Sequence, residues 1–209
     1  MTTLTLENLH YQRANFSLSA HLTLSAEQRY LLHAPSGSGK STFLDLLAGF
    51  LTPQQGQLYL NQTPITHQSV EQRPISYLFQ HHNLFEHLSA RKNLQLAHPN
   101  LSTEQLHQAL EQVDLPTSYL KKYPNELSGG EQQRLALART LLLNRPIILL
   151  DEPYAALDLT TRLRIIDLTT YLQRQHQWLL IAVSHDRHDI ERLDAQPLTI
   201  DNHHIITTT

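Results

Sequence analysis

The segment Ala34-Pro35-Ser36-Gly37-Ser38-Gly39-Lys40-Ser41-Thr42 follows the apolar run Tyr30–Leu32 and precedes a helical pattern of apolar residues. This order predicts a phosphate-binding loop between a strand and a helix. Gly37 and Gly39 allow backbone N–H groups to approach an anion, and the N-terminus of the helix adds partial positive charge. The loop therefore indicates an α/β fold that binds a phosphorylated ligand.

Two side chains of this loop supply its chemistry. In this pattern the Lys40 ammonium reaches the terminal phosphates, and the Ser41 hydroxyl is a ligand for Mg²⁺. The full pattern G-x-x-x-x-G-K-[ST] has glycine where this chain has Ala34, and alanine is tolerated there if its φ angle is negative. The residues that we expect to bind the phosphates are Pro35, Ser36, Gly37, Ser38, Gly39, Lys40, Ser41 and Thr42.

Composition limits the class of protein. The chain has 209 residues, of which 40% are hydrophobic, and this suffices for the core of one α/β domain. A net charge of −3 argues against a nucleic-acid-binding surface, and no apolar run approaches the ~18 residues of a membrane span. The start, Met1–Leu4, lacks the regions of a signal peptide, and the chain has no cysteine. We therefore expect a cytoplasmic location.

The spacing of apolar residues predicts the order of the elements. Residues 16–24 alternate between apolar and polar, as in a half-buried antiparallel strand. Buried strands that alternate with helices then predict a mostly parallel sheet, with strands at Ile75–Phe79, Ile147–Leu150 and Trp178–Val183. We predict one domain, residues 1–209, in which a parallel-sheet core (1–82 and 128–209) carries an antiparallel β subdomain and an inserted α-helical subdomain (about 83–127).

Two carboxylates directly follow one of these strands. The run Ile147–Leu150 ends in Asp151 and Glu152, and the C-terminal ends of parallel strands form the ligand crevice of such a sheet. Adjacent acids are costly there without a cation, so Asp151 is predicted to face the metal that Ser41 binds. Glu152 is then placed to polarise an attacking water. An acidic turn is the alternative interpretation, which the phosphate-binding loop disfavours.

A second helix N-terminus that attracts anions is predicted at Leu127-Ser128-Gly129-Gly130-Glu131. Ser128 caps the helix, and the two glycines expose its first N–H groups. An ordinary Ser-Gly cap is the simpler interpretation of this segment alone. A chain with two such helix ends, however, favours a ligand that carries several phosphates.

Together these motifs resemble the ATP-binding subunit of ABC transporters, along nearly the whole chain. Leu127–Glu131 is similar to the signature sequence of that family. Further matches, in the family's order, are Tyr11 (the aromatic that stacks on adenine), Gln80 (the glutamine loop), Ala156-Leu157-Asp158 (the D-loop) and Ser184-His185-Asp186 (the switch histidine). The alternatives are a strand aromatic that covers the sheet for Tyr11, a surface amide for Gln80, a helix N-cap for Asp158 and a strand-end contact for His185. Order and spacing favour the functional roles of Gln80, Asp158 and His185.

The resemblance implies a P-loop NTPase fold and the hydrolysis of ATP with Mg²⁺. The catalytic residues that it implies are Glu152, His185, Gln80 and Lys40, and the metal contacts are Ser41, Gln80 and Asp151. The further nucleotide contacts that it implies are Ser128, Gly129, Gly130 and Asp158, with Ser128 and Gly130 reaching the site of the other protomer in a head-to-tail dimer.

The resemblance also implies partners and a cargo. Leu47–Pro53 and Leu78–Leu88 are similar to the ATPases of bacterial thiamine importers, although importers for sulfate, iron, polyamines and molybdate share such phrases. The implied partners are transmembrane permease subunits, a second ATP-binding protomer and a periplasmic solute-binding protein. The helical insertion with Leu84, Phe85 and Leu88 is the predicted docking surface for a permease, and ordinary packing of these residues is the alternative. No nucleic acid is expected, and the implied location is peripheral, on the cytoplasmic face of the inner membrane.

Other functions stay open at this point. The chain could serve an importer or exporter of another substrate, or be a soluble ABC ATPase that acts on nucleic acid or ribosomes. The single phosphate-binding loop, the lack of cysteine and the lack of a heptad run argue against the soluble class. A nucleotide-binding module without catalysis is disfavoured because both Asp151 and Glu152 are present.

Overall fold

The computed structural model describes residues 2–81 and 83–208, and the strands in this part of the chain form one ten-stranded sheet. The strands are β1 (Thr3–Arg13), β2 (Phe16–Ser25), β3 (Arg29–Leu32), β4 (Gln55–Leu60), β5 (Thr63–Pro64), β6 (Ile75–Leu78), β7 (Ile147–Asp151), β8 (Leu179–Val183), β9 (Ala195–Asp201) and β10 (His204–Thr207). Their order in the sheet is β5-β4-β1-β2-β10-β9-β3-β8-β7-β6.

Helices follow or connect these strands. They are α1 (Lys40–Ala48), α2 (Ala90–Gln95), α3 (Thr103–Gln112), α4 (Gly129–Leu142), α5 (Leu159–His176) and α6 (His188–Leu193), with 3₁₀ turns at Thr117–Lys121 and Pro124–Glu126. Within the described residues, none of these helices has the length and apolar character needed to cross a membrane.

The sheet has a parallel and an antiparallel part, which confirms the predicted fold class. Strands β9, β3, β8, β7 and β6 are parallel neighbours, whereas β2, β1, β4 and β5 pair antiparallel. Strand β10 joins the two parts, because it lies parallel to β2 and antiparallel to β9. The β1–β2 turn is tight, since Arg13 pairs with Phe16 and Ala14 has a φ of 49°.

Side chains of the buried strands divide between two cores. In β7, Ile147 and Leu149 pack with α1 in one cluster, and Ile148 and Leu150 pack with α4 and α5 in the other. This is the period of two that a strand imposes on its side chains. Because helices cover both faces of the sheet at β7, residues 147–150 are all apolar. The two carboxylates follow only at the C-terminal end of this strand, which the helices do not cover.

The segment between β6 and β7 is helical. No strand lies between residues 83 and 127, all of which the structure describes. Ser89 and Ser102 cap α2 and α3, and Ser102 forms a reciprocal capping box with Gln105, as its spacing predicts. The division of the chain into a core and a helical subdomain with these boundaries stays a prediction.

A buried arginine ties the phosphate-loop helix to the antiparallel part. The side chain of Arg73 is 3% exposed and donates to the carbonyls of Leu46 (2.7 Å) and Leu47 (2.6 Å) at the end of α1, and to that of Thr66 (2.7 Å). Gly49 leaves room for it, because a Cβ there would lie 2.7 Å from Nε of Arg73. Burial lowers the pKa of this guanidinium.

We predict that Arg73→Met lowers the free energy of unfolding by about 2–4 kcal/mol, because it leaves buried carbonyl groups without donors. Urea unfolding followed by circular dichroism measures this change. Arg145→Met removes an exposed arginine and is the matched control, for which we expect a change within about 0.5 kcal/mol. Equal stability of the two variants would contradict the role of Arg73.

Candidate functional site

The phosphate-binding loop connects β3 to α1 as predicted. Gly37 and Gly39 have φ angles of 77° and 107°, a region that favours glycine, and Gly39 immediately precedes α1. Ala34 is buried and does not have a positive φ, so alanine fits where the general pattern has glycine. The departure from the pattern therefore leaves the course of the loop intact.

The Lys40 side chain is held inside this loop. It is 7% exposed, and its ammonium donates to the carbonyls of Ala34 (2.8 Å) and Pro35 (3.1 Å). Burial lowers the pKa of Lys40, while the carboxylates of Glu152 and Asp151 oppose that shift. A buried cation bonded mainly to neutral carbonyls gains from an anion that enters the loop.

Ser41 and Asp151 meet where α1 begins and β7 ends. Asp151 is 3% exposed, and burial raises the pKa of its carboxyl above the ordinary value although the Ser41 hydroxyl donates to it. Hydroxyl and carboxylate oxygens are the donors that Mg²⁺ prefers. A cation at this pair would offset the cost of a buried carboxylate.

The side chains of Glu152 and His185 contact each other, and both are more exposed than Asp151. Nε2 of His185 lies 2.7 Å from Oε1 of Glu152, and the two side chains are 46% and 16% exposed. The backbone of Glu152 has a φ of 52°, which turns the chain sharply at the end of β7. His185 follows β8, the strand beside β7, so parallel pairing brings the two side chains together.

A cavity of about 440 Å³ joins most of the predicted residues. Its lining is Phe16, Ser36, Gly37, Gly39, Lys40, Ser41, Thr42, Gln80, Glu152 and His185. Pro35, Ser38 and Asp151 belong to the same loop and strand end but do not line it. The chain thus brings a cation, a carboxylate, an imidazole and the glycine-rich loop into one crevice.

The signature segment and the D-loop residue lie outside this cavity. Ser128 and Asp158 are N-caps of α4 and α5, and their side chains accept from the N–H groups of Glu131 (3.4 Å) and Thr161 (3.1 Å). Gly129 is also exposed, which leaves this helix end open to a second molecule. Nucleotide contact by Ser128, Gly129, Gly130 and Asp158 stays a prediction.

The assignment of Tyr11 needs correction. Its side chain is 7% exposed and packs in the core cluster beneath the sheet, so its ring is not available for stacking in the cavity. A register shift between Leu6 and Leu9, where Asn8 has a φ of 50°, turns Tyr11 to the same face as Leu6. The tight β1–β2 turn then keeps Tyr11 within the paired part of β1 and β2.

Phe16, rather than Tyr11, places an aromatic ring at the cavity. It lines the cavity, and its ring lies against the loop, since a Cβ on Gly39 would be 2.4 Å from Cζ of Phe16. The His203 ring meets it edge-on with a centroid distance of 6.3 Å. Sequence reasoning treated Phe16 only as the start of a strand, and its place as the first residue after a two-residue turn was the available signal.

The sequence matches the family model described as "ABC transporter" over residues 18–155. A thiamine import ATP-binding protein ThiQ from Photorhabdus laumondii is 42% identical over 203 residues, which cover 94% of this chain and 86% of that protein. The protein of the same name from Haemophilus influenzae is 39% identical over 202 residues, and 94% of each chain is covered.

Solved structures show the same fold. A dimeric ATP-binding cassette in a post-hydrolysis state, bound to ADP and Pi, superimposes with a TM-score of 0.86 at 26% identity and covers 100% of this chain and 98% of that one. A bacterial Atm1-family ABC exporter with ATP bound gives a TM-score of 0.85 at 26% identity, with coverage of 97% and 37%.

The position of Phe16 predicts that its ring contacts the base of a bound nucleotide. Stacking on an aromatic ring contributes about 1–3 kcal/mol, so we expect Phe16→Ala to weaken ATP binding about 5- to 150-fold. Inorganic tripolyphosphate, which has no base, should bind both proteins alike. Calorimetric titration with both ligands measures this. Equal weakening for tripolyphosphate would indicate a distorted loop instead.

Proposed function

The chain belongs to the ABC transporter family, and from this we propose that it is the ATP-hydrolysing subunit of a thiamine importer. The observation that carries the proposal is the cavity in which the loop amides, Lys40, Ser41 and Glu152 converge. The names of the similar proteins from Photorhabdus laumondii and Haemophilus influenzae support thiamine as the cargo.

We propose that Ser41 and Asp151 hold Mg²⁺, with the amide oxygen of Gln80 as a further donor. In the described part of the chain, no three His, Cys, Asp or Glu side chains cluster as a metal cage. A small set of protein oxygens suits magnesium, which typically completes its shell with water and substrate phosphates. When bound, the ion would neutralise charge that develops on the phosphates.

Glu152 is the proposed group that orients and deprotonates the attacking water. Glu152 directly follows Asp151 at the end of β7, and its carboxylate contacts the His185 imidazole, which would reach the γ-phosphate. Lys40 and the loop N–H groups stabilise the negative charge on the departing phosphate. General-base assistance of this kind accelerates a reaction by about 10²–10⁴-fold.

We propose that two copies of the chain pair head to tail, with the exposed N-terminus of α4 completing the partner's site. The dimeric arrangement of a similar cassette supports this proposal. Ser128, Gly129, Gly130 and Asp158 would then contact nucleotide from across the interface. ATP stabilises such a pair only because it binds the closed form more tightly.

We predict that Glu152→Gln retains ATP binding but lowers kcat by at least about 10²-fold, because the general base is lost. Without turnover, ATP should drive this variant into a dimer, as measured by light scattering. Adding Gly129→Asp, where the structure leaves open space for a side chain, places a carboxylate at the shared interface and should prevent that dimer. Unchanged kcat would remove Glu152 from its role, and equal dimerisation of both variants would refute the paired site.

Of the three residues expected to dock a permease, the structure leaves Phe85 the most exposed. Leu84 packs against the core and Leu88 is partly buried, whereas Phe85 is 48% exposed. Phe50 is 49% exposed, and its ring contacts that of Phe79, the residue before Gln80. We propose that Phe50 and Phe85 dock a transmembrane subunit, which would hold the chain on the cytoplasmic face of the inner membrane. A periplasmic solute-binding protein would deliver the cargo.

We predict that Phe85→Glu abolishes uptake of labelled thiamine by cells that lack the wild-type chain, because a charge blocks an apolar contact. ATPase activity of the isolated variant should stay unchanged. Tyr171→Glu changes another exposed ring, 57% exposed on α5, and should support normal uptake. Failure of the wild-type chain to restore uptake would refute thiamine as the cargo, and normal uptake with Phe85→Glu would refute this docking surface.

A further inference from the structure

A buried glutamine of α4 forms hydrogen bonds with the turn that carries Glu152. Gln133 is 2% exposed, and its Nε2 donates to the carbonyl of Glu152 at 2.7 Å. Its Oε1 accepts from the N–H of Ala156 at 3.1 Å. One side-chain amide therefore binds both ends of the segment 152–156, which leads from the end of β7 to the D-loop.

The backbone of Glu152 adopts a conformation that needs such support. Its φ of 52° lies in the left-handed region, which residues with a Cβ rarely adopt. The N–H of Glu152 donates to the carbonyl of Val183 at 3.1 Å, and its carbonyl also accepts from the N–H of Ala155 at a longer 3.4 Å. The bonds to Gln133 and Val183 hold the peptide groups on both sides of the Glu152 Cα, and these set the direction of its carboxylate.

A second contact shows that the same face of α4 packs closely against the turn 152–156. A Cβ on Gly130 would lie 2.9 Å from the carbonyl oxygen of Ala156, so the backbone of the turn rests directly on the helix. Gly130 and Gln133 are three residues apart and share one helix face. A small residue and a long amide on that face thus hold the same segment.

We propose that Gln133 is a positioning residue for Glu152, which it directs through the backbone without touching substrate. This inference rests on the proposed function, in which Glu152 acts on water. Since α4 begins next to Ser128, the same helix would link the N-terminus facing the partner's nucleotide to the general base of its own site. A shift of α4 at the interface would reach Glu152 through Gln133.

The test is a double-mutant cycle on steady-state ATP hydrolysis. Gln133→Met keeps the length of the side chain but loses both hydrogen bonds, and we expect kcat to fall about 10- to 100-fold with little change in KM, since misplaced catalytic groups cost rates of this order. In the Glu152→Gln background the same change should have no further effect, because the group that it positions is already gone. A multiplicative loss in both backgrounds would overturn the proposal.

Two further variants separate positioning from folding. Gln173→Met removes another buried amide, which is 2% exposed and donates to the carbonyls of Ala26 and Trp178, and it should lower the melting temperature without lowering kcat. Gln133→Asn retains an amide too short for both bonds and serves if Gln133→Met does not fold. Wild-type kcat for a folded Gln133 variant refutes the inference alone, whereas wild-type kcat for Glu152→Gln refutes the proposed function.

Discussion

The site depends on a carboxylate that folding has removed from water. Asp151 ends a strand that is apolar on both faces, and burial raises the pKa of its carboxyl although Ser41 donates to it. The pairing of β7 with β6 and β8 fixes this position, and β3 delivers the phosphate loop two strands away. A buried acid, a buried ammonium and a glycine-rich loop are each costly alone, and a magnesium-bound triphosphate would satisfy all three.

Helix α4 has a role that its sequence motif alone does not reveal. Its N-terminus is exposed and capped by Ser128, while its next turn packs against the segment that follows Glu152. In the proposed dimer, the helix would face a second copy of the chain on one side and the turn that carries Glu152 on the other. Through Gln133, α4 would then be an element whose position both nucleotide sites bias.

The sequence predicted elements better than it predicted which way side chains face. The glycine pattern, the apolar strands and the carboxylates after β7 have local signals, and the structure has them where they were expected. The burial of Tyr11 depends on a one-residue irregularity at Asn8, which reverses the face of every following residue in β1. Phe16 begins β2 after the tight turn, and its place against the loop has no local signal beyond that turn. Gln133 gave no signal, because its partners are backbone groups 19 and 23 residues away in sequence.

The most direct test of this account is a crystal structure of the Glu152→Gln chain grown with ATP and magnesium. We expect a dimer in which the triphosphate lies against the loop from Gly37 to Thr42 and the ion contacts Ser41. The base should rest on Phe16, and Ser128 of the second copy should approach the γ-phosphate. A nucleotide bound elsewhere, or one enclosed by a single copy of the chain, would contradict the account.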